Sequence, residues 1–383
     1  MSRKVFIAGA DGYIGWTLSL YLSSRGYTVK GIDNGSRRRW VREVGGNSIL
    51  PIESILHRRS ILREEYDNIF NYMDITNAHS ISESIKEFSP DTIVHLGEMP
   101  SAPYSMMNNT KAVYTHTNNV TGTLNILYAM KEHCPKAHLV KLGTLGEYGT
   151  PNIAIPEGSI EVEYKGRKSM LPFPKQGNSW YHLTKVHDTN NIQFACKTWG
   201  LKSTDIMQGV VYGTKIPEMG DDERLHTRFD YDQCFGTVIN RFCAQAISRH
   251  PITLYGTGEQ KRGFLPLKDS MQCLNLAIDN PPEDEGEYRV FNQFEEIYTL
   301  KDLAYMVWSK AQELGYSTEI INIPNPRTEV ENHYYKPDHQ KLLDLGYEPT
   351  TDIESEIEGM LKDLEPYGDR INPKVIMPDI TWR

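Results

Sequence analysis

Two short runs in this sequence carry residue types that could do chemistry. In Tyr181-His182-Leu183-Thr184-Lys185 a phenol and an ammonium stand four residues apart, so a helix brings both to one face. A free phenol ionises near pH ~10 and is a poor base at neutrality, but a neighbouring lysine cation favours the phenolate. Tyr181 and Lys185 therefore read as a base and its electrostatic support. The second run, Gly9-Ala10-Asp11-Gly12-Tyr13-Ile14-Gly15, follows the β-prone Val5-Phe6-Ile7-Ala8 and leads into Ile14, Leu18, Tyr21 and Leu22 at helical spacing. This is strand, glycine turn, helix. Gly9 suits a tight turn, Gly12 lets the backbone approach a pyrophosphate, and Gly15 lets the helix pack on the strand with its N-terminus toward the phosphate charge. A further β-prone run ends at Asp33. A carboxylate about 20 residues past the glycines is placed to accept both ribose hydroxyls of a dinucleotide and to repel a 2′-phosphate, which points to NAD rather than NADP. Arg37-Arg38-Arg39, the only compact basic run, admits two readings: Arg37 beside that ribose, or a solvated loop.

The elements that must position these residues are legible as an alternation. β-prone runs at 71–75, 92–97 and 141–144 are separated by helical periodicity, as through Asn119-Val120-Thr121-Gly122-Thr123-Leu124-Asn125. Such alternation predicts an α/β fold, a Rossmann-type doubly wound parallel sheet whose ligand crevice lies beyond the carboxyl ends of the strands. The unusual residues fall at those ends. A length of 383 residues allows two or three domains, and a net charge of −9 argues against a general nucleic-acid binder. No segment approaches the ~20 apolar residues of a membrane span, and nothing before Val5 reads as a targeting peptide. Cys134, Cys196, Cys234, Cys243 and Cys273 are scattered without a C-x-x-C pair, which implies buried free thiols in a reducing compartment and no metal site.

With G-x-x-G-x-x-G spacing, Asp33 and the Tyr-x-x-x-Lys run in this order, the chain resembles the extended branch of the short-chain dehydrogenase/reductase superfamily from Val5 to about Pro349. The resemblance implies that Gly9, Asp11, Gly12, Tyr13, Ile14, Gly15, Asp33, Asn34, Arg37, Asp74, Ile75, Leu96, Gly97, Asn118, Tyr181, Lys185 and Gln208 hold NAD. It puts Asp74 near the adenine ring, makes Asn119 a structural asparagine, and has Thr144 hold the same substrate oxygen as Tyr181. Gln208-Gly209-Val210-Val211-Tyr212-Gly213, the run from Tyr255 through Arg262 to Phe264, and Pro326-Arg327-Thr328-Glu329 resemble segments of that branch's nucleotide-sugar domain. A smaller, mixed α/β C-terminal lobe is therefore expected to bind a nucleotide-diphosphate sugar through Thr144, Tyr181, Gln208, Arg262 and Arg327. The two arginines would meet the diphosphate, since a guanidinium fork bonds two phosphate oxygens at once. The expected boundaries are 1–208 for the NAD domain, with returning segments near 238–275, and 209–383 mainly for the substrate domain.

Sugar dehydratases of this branch carry T-D-E-V-Y-G after the fifth strand. Here the run is Thr144-Leu145-Gly146-Glu147-Tyr148-Gly149, which lacks both of those carboxylates and offers Glu147 one position later. A 4-epimerase would need no such glutamate. With the 97–106 loop, the long insert from 150 to 180 and the runs at 228–232, 240–243 and 292–294, the chain resembles enzymes that sulfonate a UDP-hexose, using UDP-glucose and sulfite. That implies oxidation at C4 by Thr144, Tyr181 and Lys185, loss of water across C5 and C6, sulfite addition at C6, and return of the hydride. Glu147 and His182 are the candidate acid/base pair at C6, with the division of roles open; His182, adjacent to Tyr181 on the helix, could instead merely pack. The resembled enzymes carry an arginine where this chain has Pro100, so Arg241 is the candidate for sulfite. A UDP-hexose 4-epimerase or 4,6-dehydratase is the alternative, and a cofactor-binding module without turnover is a third reading that the Thr/Tyr/Lys set disfavours. A cytoplasmic homodimer is expected, with sulfite either free or delivered by a partner protein, and with no nucleic-acid or membrane partner.

Overall fold

The computed structural model describes residues 2–327 and 329–382. Seven strands form one parallel sheet: β1 (Lys4–Ala8), β2 (Thr28–Asp33), β3 (Ile69–Tyr72), β4 (Thr92–His95), β5 (His138–Thr144), β6 (Lys202–Gln208) and β7 (Tyr288–Gln293), in the order β7-β6-β5-β4-β1-β2-β3. The chain direction across the sheet reverses between β1 and β4, and a crevice opens at such a switch point. Strand β1 explains why the sheet needs helices on both faces. Val5 and Ile7 enter one apolar cluster with Trp16, Leu20 and Leu274. Phe6 and Ala8 enter another with Ile81, Ile85, Ile126 and Ile192. A run apolar at every position is the signature of a strand covered on both sides.

The second lobe has its own core, in which helices Val238–Ile247, Leu300–Glu313 and Ile353–Leu364 contribute Phe242, Val307 and Ile357. Its strands form a parallel pair, Ile252–Tyr255 with Ile320–Ile323, and a mixed three-stranded sheet centred on Lys261–Pro266. The returning segment differs from the expected 238–275. Helix Val238–Ile247 packs in the second lobe, whereas helix Leu267–Asp279 lies against the Trp16 cluster and β7 completes the large sheet. Apolar contact decides this: Met271, Leu274 and Ile278 fall on one face of the Leu267–Asp279 helix and seal the first core.

The insert after β5 carries an exposed antiparallel hairpin, Ser159–Tyr164 with Arg167–Pro172. Its base is tied to the second half of the chain, where the Ile155 amide donates to the Lys336 carbonyl at 2.9 Å and Glu157 accepts from the amides of Asn292 and Lys341, each at 2.9 Å. All five cysteines are buried and free. No helix among the described residues is long and apolar enough to cross a membrane.

Candidate active site

A cavity of about 500 Å³ lies at the carboxyl ends of β1, β4 and β5, between the lobes. Its first wall is the glycine turn, with Gly9, Gly12, Tyr13, Ile14 and Gly15 all facing it. Gly9 has φ +93°, and a Cβ there would stand 2.7 Å from the Leu96 carbonyl carbon; a Cβ on Gly15 would overlap the Gly9 carbonyl oxygen. The bare backbone is what lets helix Tyr13–Ser24 close on β1 and leaves a cradle for a dinucleotide pyrophosphate. Asp33 faces the same space and accepts from the amides of Asp11 (3.0 Å) and Gly35 (2.6 Å). Burial, with Asp11 nearby, raises its carboxyl to about 6. Asn34, Arg37, Ile75, Leu96, Gly97, Asn118 and Gln208 also line the cavity. The Arg37 guanidinium is held by Asp230 at 2.8 Å and stacks over Phe235, so it is neither solvated nor free for a 2′-phosphate.

Two expected cofactor residues stand elsewhere. Asp11 does not reach the cavity: its carboxylate accepts from Arg38 (2.6 and 2.7 Å) and Arg58 (2.7 Å) and is fully buried. Burial alone would raise this carboxyl, but the two guanidiniums hold it below its ordinary value. It braces the turn from behind. Asp74 stands just behind the lining, accepting from Thr76 (amide 2.8 Å, hydroxyl 2.7 Å) and from the cavity-lining Asn34 (2.8 Å), while its neighbours Met73 and Ile75 form the wall.

The reactive pair sits on helix Trp180–Trp199. Ser179 caps it, accepting from the His182 amide at 3.2 Å, and the Tyr181 amide donates to Ser105 at 3.1 Å, so the first turn is fixed at the cavity floor. Tyr181, Lys185 and Thr144 all face the cavity. Lys185 Nζ lies 5.8 Å from the Tyr181 ring centre, donates to the Leu142 carbonyl at 2.6 Å and pairs with Glu98. Burial lowers the Lys185 ammonium to about 8, against the pull of Asp188 and Asp205. Burial, and then Glu147, raise the Tyr181 phenol.

His182 also reaches the cavity, and its ring centre lies 5.0 Å from that of Tyr181. Gly146 makes this possible, since a side chain there would collide with His182 Nε2. His182 Nδ1 is 2.9 Å from Ser179 Oγ. That hydroxyl also accepts from the His182 amide, so Ser179 holds both the backbone and the ring of His182. Burial, then the Arg327 and Arg262 cations, lower the imidazole to about 3.

Glu147, the other candidate for acid/base work, is set behind the cavity wall. It is fully buried and does not line the cavity. Its carboxylate accepts from Lys175 (2.6 Å), and from the Thr144 amide (3.3 Å) in a reciprocal cap of the short turn Leu145–Tyr148. Burial raises its carboxyl, with Lys175 opposing. The side chain acts on Thr144 from behind.

At the far end of the cavity three arginines gather around Tyr255. Arg241 and Arg327 lie 5.1 and 6.0 Å from its ring centre, and Arg262 pairs with Glu329 at 2.7 Å. Among the described residues no other carboxylate pairs with this group within 4.0 Å. The arrangement is a cationic pocket for an anion, with planar forks that suit phosphate or sulfonate oxygens.

The sequence reading passed over Glu98, Lys141, Lys175 and Trp382. Lys141 could have been noticed as a charge inside a strand that ought to be apolar on both faces. Trp382 carries no such signal; it lines the cavity from the C-terminal segment, where its amide donates to the Pro326 carbonyl at 3.0 Å and its ring lies 5.4 Å from the Arg327 guanidinium.

Residues 5–292 match the NAD dependent epimerase/dehydratase family. Over 385 aligned residues the chain is 48% identical to the chloroplastic UDP-sulfoquinovose synthase of Spinacia oleracea, covering 100% of this chain and 79% of that protein. It is 44% identical to the UDP-sulfoquinovose synthase of Sulfolobus acidocaldarius, covering 99% of this chain and 98% of that protein. In fold it is similar to UDP-glucose 4-epimerase from Thermotoga maritima, with a TM-score of 0.71 at 18% identity over 94% of this chain and 98% of the other.

Proposed function

The chain belongs to the UDP-sulfoquinovose synthases of the NAD dependent epimerase/dehydratase family, and on that premise we propose that it joins sulfite to C6 of UDP-glucose within this cavity. The observation that carries the reading is one continuous space lined by the glycine turn, by Thr144, Tyr181, His182 and Lys185, and by Arg241, Arg262 and Arg327. The glycine turn and Asp33 would hold NAD, which would supply reversible hydride chemistry at C4. The remaining work falls to the chain. Tyr181 takes the proton of the C4 hydroxyl, with Lys185 favouring its phenolate and Thr144 holding the same oxygen. The C4 ketone acidifies the C5 proton, which His182 takes and passes to the departing C6 hydroxyl so that water leaves; sulfite then adds at the electrophilic C6 and a proton returns to C5.

His182 suits the C6 end. Its ring is oriented by the contact with Ser179, and the two cations that, after burial, lower its pKa are the ones assigned to the diphosphate. A bound diphosphate neutralises them and lifts the imidazole toward neutrality, where it can protonate the leaving hydroxyl. Arg241 is the proposed sulfite partner. Glu147 is reassigned to the support of Thr144. The domain assignment becomes a cofactor lobe of 1–208 joined by 267–293, and a substrate lobe from the rest.

A homodimer is supported by Val113, Leu124, Tyr128 and Phe194, large apolar side chains exposed on the helices flanking β4 and β5; sedimentation of the chain tests it. Five free buried thiols accord with a reducing cytoplasm. The decisive incubation combines the protein with UDP-glucose, NAD and sulfite, read by mass spectrometry. A sulfonated UDP-hexose is expected. UDP-galactose, or a 4-keto-6-deoxy sugar formed without sulfite, contradicts the reading.

A further inference from the structure

The mechanism leaves one buried carboxylate at the cavity wall without a task. Glu98 stands three residues past β4, and its loop is clamped. The Glu98 amide donates to the Leu96 carbonyl at 2.8 Å, the Met99 amide donates to Asn119 Oδ1 at 2.8 Å, and Asn119 Nδ2 donates back to the Met99 carbonyl at 3.2 Å. Asn119 lies in a single π-helical turn, Thr117–Thr121, a feature that often marks functional sites.

Held this way, Glu98 joins a string of charges of alternating sign. Lys141 Nζ lies 3.4 Å from Asp188 Oδ2 and 2.5 Å from Glu98 Oε1, while Glu98 Oε2 pairs with Lys185. All four side chains are at most 5% exposed. Two anions and two cations cancel, so each charge tolerates a place that burial alone would forbid. Lys141 occupies the interior of β5, where only a built-in partner makes a lysine tenable.

We infer that Glu98 is a positioning residue: its carboxylate, steadied by Lys141 and Asp188, is the counter-ion that keeps the Lys185 ammonium charged and seated beside Tyr181. Asp188 and Asp205 also favour the Lys185 ammonium, but among the described residues neither pairs with it within 4.0 Å, and the other groups facing the cluster are engaged elsewhere. His95 on β4 is 3.9 Å from Glu98 Oε1, bonds to Thr123 and is kept neutral by burial. Asp205 on β6 accepts from Thr189 and Tyr288, and Glu147 pairs with Lys175. On the helix itself Tyr181 and Asp188 flank Lys185, and Asp188 reaches Lys141. Among the described residues the one carboxylate that pairs with both lysines is Glu98.

Glu98→Gln keeps the shape and removes the charge. Lys141 then keeps Asp188 as its partner while Lys185 loses its paired carboxylate, and Lys185 gives up its proton at lower pH. Which reaction Lys185 serves rests on the proposed function, but its ionisation can be read without substrate. Amine-selective acetylation of the full chain across a pH series, followed by peptide mass spectrometry, gives the midpoint of Lys185 labelling. In Glu98→Gln that midpoint should fall by about one unit or more, and in Asp188→Asn it should fall by less. The alkaline limb of turnover should move down in parallel, and Glu98→Asp should restore it. An unmoved Lys185 midpoint in Glu98→Gln overturns the assignment, whatever happens to activity. If that variant does not fold, Asp188→Asn carries the test, and an unmoved midpoint there overturns it equally. A wild-type chain that titrates as expected but leaves UDP-glucose unchanged would count against the function and not against Glu98.

Discussion

Glu98 and Glu147 occupy equivalent places on neighbouring strands, each three residues past the carboxyl end, of β4 and of β5. Each is buried and each pairs with a lysine brought in from elsewhere. Their situations nevertheless diverge. Glu98 meets Lys185, which faces the cavity, and so touches the reactive pair. Glu147 meets Lys175 from the insert, on the far side of Thr144, and is sealed away. The same contrast recurs at the cofactor end, where Asp33 faces the cavity and Asp11 is locked behind it by Arg38 and Arg58. A carboxylate at a strand's end is thus not a site residue by position alone; the cation that reaches it decides.

Both glutamates are subordinate to the phenol, and the largest effect should fall there. Tyr181→Phe should lose about 10³-fold or more in turnover while still binding NAD, measured by steady-state rates and calorimetry. Unchanged turnover would remove the centre around which the two carboxylates are compared. Next comes the sealed pair. Glu147→Gln leaves the Lys175 cation nearly buried and unpaired, so unfolding free energy should drop by about 3–5 kcal/mol in denaturant titration. Turnover per folded molecule should change by less than about tenfold. A stable Glu147→Gln protein that oxidises C4 and then stalls would restore Glu147 to the acid/base role and collapse the contrast. The smallest effect concerns Asp33. With its carboxyl at about 6, protonation on acidification removes the ribose acceptor, so NAD affinity should weaken about tenfold between about pH 7 and about pH 5. Asp33→Asn should flatten that dependence, and a wild-type affinity independent of pH would deny Asp33 the role.

What was legible in the sequence was contiguous. The glycine turn, Asp33 and the Tyr181/Lys185 pair are short-range patterns whose geometry a strand, a turn or a helix dictates, and all of them meet at one crevice. Arg262 and Arg327 were reached through resemblance and do line it, although Arg327 also borrows Trp382 from the C-terminal segment. Glu98 lay within a run that had been treated only as a signature, because its partner Lys185 is 87 residues away and nothing local shows the pairing. Asp11 and Asp74 show what such spacing leaves open: it says which backbone turn is used, but not which side chains an acidic residue pairs with, here Arg38 and Arg58 for Asp11, and Thr76 and Asn34 for Asp74. His182 showed the limit of helical arithmetic. Its position about 100 degrees from Tyr181 still opens on the cavity, because Gly146 leaves room for the ring.

The most direct measurement follows the near-ultraviolet absorbance of the reduced cofactor in the NAD-loaded protein, first with UDP-glucose and then with sulfite. Reduced cofactor should build up on the sugar alone and disappear when sulfite arrives, as a sulfonated UDP-hexose is released. Absorbance that never rises with UDP-glucose, or that rises and decays identically with and without sulfite, would contradict the account.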